Sequence, residues 1–75
     1  MREWLKTIRT DMGLTMKEMG EKLGISESYY CSIEAGDRQK KMDVMLCHSI
    51  ATIAGMGMAE VFEMERCWKN GSAAH

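Results

Sequence analysis

Apolar residues along this chain recur at spacings of three and four in short runs, and most runs stop at a glycine. That periodicity belongs to helices, not strands, and predicts an all-α fold. Leu5 and Ile8 mark the first run, which Gly13 suits as a left-handed C-terminal cap. Thr15 lies three residues before Glu18 and makes a capping box, with Leu14 and Met19 placed as a hydrophobic staple. Met16, Met19 and Leu23 then bury one face of a helix of about two turns, ended by Gly24. Ser26 suits the cap of the next helix, with Ile25 pointing inward, Tyr30 and Ile33 on the buried side, and Gly36 as its stop. Asp43 has the look of a cap for a fourth helix, whose apolar face carries Val44, Cys47, Ile50, Ala51 and Ala54. In a fifth, Met58, Val61, Phe62, Glu65 and Trp68 follow helical spacing, and Val61 with Phe62 is expected to close the core. Gly20 sits inside the second helix, where glycine costs about 1 kcal/mol against alanine. A close approach by a neighbouring helix would account for it.

Residues 15–36 therefore read as two short helices joined by a tight glycine turn, the arrangement that sets a helix into the major groove of DNA. The segment resembles the helix-turn-helix of the Xre/Cro-like phage-repressor family, with Gly20, Gly24, Ile25, Tyr30 and Ile33 at the family's offsets. The similarity runs upstream through Leu5, Ile8 and Arg9 and downstream through the stretch GMGMAEVF. It covers about residues 1–66 and implies a compact five-helix lambda-repressor-like domain, taken to span residues 1–68, and a structural pair between Arg9 and Glu34; the small, polar end of the chain predicts a flexible tail over 69–75. Carried over position by position, it places base reading on Glu27, Ser28 and Ser32, with Tyr29 and Cys31 at the groove edge. Double-stranded DNA is the implied partner, as a palindromic operator bound by a homodimer. The chain departs from the family in two places: Met16 stands where a phosphate-bonding glutamine is common, and the connection from Asp37 to Met42 is longer and lacks a proline.

Composition narrows the picture further. Seventy-five residues make one domain with a modest core, and nine methionines replace much of the usual leucine. No apolar run reaches the length of a membrane span, and MREWLKTIRT lacks the uninterrupted apolar core of a signal peptide, so a cytoplasmic location is expected. Three cysteines without CxxC spacing are expected to be free thiols. Cys47 reads as a small buried hydrophobe and His48 as facing solvent. No catalytic constellation, metal-ligand spacing, cofactor motif or small-molecule site is legible.

Charge is the awkward feature, since the total is −1 whereas a DNA binder is expected to carry a basic face. Arg38, Lys40 and Lys41 form the one local basic cluster and follow directly after the second helix of the motif. Charge alone leaves a solvated loop and a phosphate contact equally open; position favours phosphate, with Lys17 standing in for the contact that Met16 cannot make. Trp68 near Met64, together with Phe62, is expected to form an exposed self-association surface. The leading reading is a small sequence-specific repressor of phage or mobile-element type. The alternative is a protein-interaction module on the same fold that has lost DNA affinity.

Overall fold

The computed structural model describes residues 1–39 and 42–74. Five helices follow one another, α1 (Glu3–Asp11), α2 (Met16–Leu23), α3 (Glu27–Ala35), α4 (Val44–Ala54) and α5 (Met58–Ala74), and no strand occurs among the described residues. The last helix continues past residue 68, the expected end of the domain. No single helix among the described residues is long and apolar enough to cross a membrane.

The ends of the helices are set by local chemistry. The Thr15 hydroxyl accepts from the Glu18 amide at 3.1 Å and the Glu18 carboxylate accepts from the Thr15 amide at 2.9 Å, so the capping box closes in both directions. Ser26 caps α3 through the Tyr29 amide at 3.1 Å, and Asp43 caps α4 through the Met45 amide at 2.7 Å. At the other ends, Gly24, Gly36 and Gly55 take left-handed conformations that side chains rarely adopt.

The core consists of Leu5 from α1, Met19 from α2, Tyr30 and Ile33 from α3, Cys47, Ile50 and Ala51 from α4, and Val61 from α5. Leu14, just ahead of α2, is partly buried against this core. Gly20 is buried because α2 meets the backbone of the turn that follows it: a Cβ there would lie 3.1 Å from the Ile25 carbonyl and 3.3 Å from that of Ser26. The close neighbour is thus the turn itself.

Two expected core residues lie outside it. Val44 is 61 % exposed, because as the first residue of α4 it projects beyond the layer that covers Cys47 and Ile50. Phe62 is 43 % exposed. Val61 and Glu65 are the inward positions of α5, and Phe62 is turned about 100° from Val61 and about 60° from Glu65.

Candidate nucleic-acid interface

The outer side of α3 is set by what holds its inner side. Tyr30, Ile33 and Glu34 are fully buried, whereas Glu27, Ser28 and Cys31 are exposed. The buried Glu34 carboxylate accepts from Arg9 Nε at 2.9 Å, from Arg9 Nη2 at 3.2 Å and from the Tyr30 hydroxyl at 2.6 Å. Arg9 Nη1 also reaches the Leu14 carbonyl at 3.0 Å, so one guanidinium joins α1, the loop before α2 and α3. The hydrogen bond to Glu34 raises Arg9 above its ordinary pKa. Burial, followed by the bond to Glu34, raises the Tyr30 hydroxyl as well. This network fixes the rotation of α3 about its axis, and hence which residues it presents.

Of the residues expected to read bases, Glu27 and Ser28 stand free on the first turn of α3. Ser32 is partly buried and its hydroxyl donates to the Ser28 carbonyl at 3.1 Å, which commits its proton and leaves only acceptor capacity. Tyr29 is half-buried at the edge, over a shallow groove lined by Leu23, Ile25, Gln39, Met45 and Leu46. Lys17 is exposed on the first turn of α2, and Arg38 is exposed just after α3. Lys40 and Lys41 lie outside the described residues.

A second ion pair, absent from the sequence reading, supports the far end of α3. Arg2 is fully buried; its Nε and Nη2 each donate to the Glu65 carboxylate at 2.9 Å. Its Nη1 donates to the carbonyls of Ile33 at 2.6 Å and Arg38 at 3.0 Å, its Nη2 also bonds the Gln39 carbonyl, and its backbone amide donates to the Glu34 carbonyl at 2.7 Å. Arg2 thereby satisfies last-turn carbonyls of α3 and places a cation at the negative end of its dipole. Trp4 Nε1 adds a bond to Glu65 at 3.2 Å. The one available signal was Glu65 itself, an acid in an otherwise apolar register.

Trp68 departs from its expected exposure. It is half-buried, its ring 4.9 Å from the Arg2 guanidinium carbon and packed where a Cβ on Gly36 would come within 3.3 Å. A ring face stabilises a buried cation, so Trp68 covers the Arg2 site instead of standing free. Phe62 stays exposed, and Met64 lines an open apolar groove with Met56 and Ala59.

Cys47 is buried, which raises its thiol pKa, while Cys31 and Cys67 are exposed and all three are free. Among the described residues no three His, Cys, Asp or Glu side chains gather where a metal ion could be held.

No curated protein and no solved structure gives a significant match to the chain. A family model described as helix-turn-helix matches residues 5–46, from α1 into the start of α4 and over more than half of the chain. The chain belongs to the Xre and lambda-repressor-like helix-turn-helix family, whose members are DNA-binding regulatory domains.

Proposed function

We propose that this protein is a sequence-specific transcriptional repressor of phage or mobile-element type that binds a palindromic operator as a homodimer, with α3 in the major groove. The observation that carries the reading is the presentation of α3: its inner side is locked by Arg9, Tyr30 and Glu34 while Glu27 and Ser28 stand exposed at its N-terminal end. In this docking mode those N-terminal residues face base edges. A helix about 10–12 Å across with its side chains suits a major groove roughly 12 Å wide. Glu27 has the chemistry to accept from cytosine N4, and Ser28 bonds to several bases. Lys17 and Arg38 flank the helix and serve as phosphate contacts, continued by Lys40 and Lys41. Exposed Phe62 and the groove holding Met64 supply the apolar surface for the second copy.

A second reading, an interaction module on the same fold, draws on the net charge of −1 and on Met16. Selection of bound sequences from a random DNA pool, followed by affinity titrations over a salt series, separates the two. The regulator selects a palindrome with half-sites about 34 Å apart. Lys17→Ala and Arg38→Ala weaken binding about equally on all sequences and reduce the salt slope by about one each, whereas Glu27→Ala and Ser28→Ala shift preference at particular positions. Absence of binding at low salt would leave the interaction module as the better account.

A further inference from the structure

Gln39 is the one non-glycine residue with positive φ among the described residues, at 55°. Side chains rarely adopt this conformation, which persists only where surrounding contacts impose it. Here three contacts do so. The Gln39 carbonyl accepts from the fully buried Arg2 guanidinium. Its side-chain Oε1 accepts from the Asp43 amide at 3.0 Å, just ahead of α4, and its Nε2 donates to the Tyr29 hydroxyl at 2.6 Å.

The order of these bonds fixes a proton. A backbone N–H can be accepted only by the amide oxygen, so the group turned toward Tyr29 is the NH2, which has no acceptor capacity. The Tyr29 oxygen therefore accepts from Gln39, and the phenolic proton is left to donate elsewhere. Tyr29 is the third residue of α3, on the same turn as Glu27 and Ser28, but it is half-buried and its hydroxyl turns to the flank, meeting the connection to α4 at Gln39, the residue after exposed Arg38. On the flank of a groove-bound helix the available acceptor is a phosphate oxygen of the DNA backbone.

We propose that Gln39 is a positioning residue that holds the Tyr29 hydroxyl as a donor to a DNA backbone phosphate. The proposal rests on the DNA-binding reading and moves Tyr29 from base reading to anchoring. Arg2 and Asp43 complete the arrangement by fixing the Gln39 backbone and amide, so the phosphate anchor is built into the join between α3 and α4.

The test is a double-variant cycle on DNA affinity with Tyr29→Phe, Gln39→Met and the two combined, each measured over a salt series on operator and on mixed-sequence DNA. Tyr29→Phe and Gln39→Met are each expected to weaken binding about tenfold, equally on both DNAs. The combined variant should bind no more weakly than Tyr29→Phe alone. Because the anchor is a neutral hydroxyl that displaces no counterion, the salt slope should stay at the wild-type value. A purely structural role would instead lower the thermal midpoint of Tyr29→Phe and leave its DNA affinity near wild type, which overturns the proposal. Additive losses, or a changed base preference at particular positions, overturn it equally. Gln39→Gly, which relaxes the positive φ while removing the same amide, gives the cycle a second arm if methionine destabilises the connection. Failure of the wild-type protein to bind any DNA at low salt would overturn the DNA-binding reading together with this proposal, whereas wild-type binding with additive losses overturns this proposal alone.

Discussion

Tyr30 and Cys47 are the two core residues that carry an acidic proton, and both hold it more tightly than they would in water. Burial, then the bond to Glu34, raises the Tyr30 hydroxyl above its ordinary 10.0, and burial raises the Cys47 thiol above 9.0. At pH values where the unfolded chain releases these protons the native state retains them. The unfolded state then binds fewer protons, and stability falls as pH rises. The contribution of both groups is complete below about pH 8.5 and is lost progressively above it. Urea midpoints measured from pH 7 to 10.5 are expected to decline across the upper part of that range; a midpoint that stays level would contradict the assignment. Tyr30→Phe is expected to cost roughly 1.5–3 kcal/mol at pH 7, since a buried carboxylate loses a donor, and to show a shallower alkaline decline. The Arg9 and Glu34 pairing was legible only through the family's offsets. Nothing local to either residue connects two positions on different helices, and the Tyr30 bond that completes the network reads from sequence only as an apolar ring.

Helix ends were the most legible elements because their determinants lie within four residues of each other. The Thr15 and Glu18 box, the Ser26 and Asp43 caps and the left-handed glycines all close over that distance. Helix faces were legible only where periodicity met a partner, so Val44 and Phe62 fit the apolar pattern yet face outward. The connection between α3 and α4 was least legible, since Gln39 owes its positive φ to contacts from Arg2, Tyr29 and Asp43. A direct test of the helix-turn-helix unit compares its cap with its close approach. Thr15→Ala removes one bond of the box and is expected to cost about 1 kcal/mol. Gly20→Val puts a branched side chain where even a Cβ would lie 3.1 Å from the Ile25 carbonyl. Because that neighbour is backbone, the loss should be larger, about 1–3 kcal/mol or more by overpacking alone. Equal urea denaturation curves for the two variants would mean that the turn yields freely, and that Gly20 is not held by its neighbour.

At the scale of the molecule, Arg2 near the start of the domain and Glu65 near its end meet at the C-terminal end of α3. Arg2 and Glu65 are 63 positions apart, beyond the reach of any periodicity, which is why the pair was not legible even though Glu65 marked itself as an acid among apolar residues. A domain of 75 residues has about 4–11 kcal/mol of stability in all. Breaking a buried pair by removing one partner costs about 3–5 kcal/mol. Glu65→Leu should therefore remove a large part of the stability, and Arg2→Met more, because Arg2 also serves the carbonyls of Ile33, Arg38 and Gln39. The combined variant Arg2→Met/Glu65→Leu is the informative one, since a buried ion pair replaced by apolar residues often loses little. It should be more stable than Arg2→Met alone, having no unpaired buried carboxylate, yet less stable than wild type because the carbonyls of α3 and its connection stay unserved. Its DNA affinity should also fall, as the segment carrying Arg38 and Gln39 loses its anchor. Strictly additive losses in chemical denaturation would place the whole contribution of Arg2 in its bonds to the carbonyls and none in its pairing with Glu65. A combined variant as stable as wild type would place it in the pair alone, and α5 would then act on α3 through packing, with no guanidinium required between them.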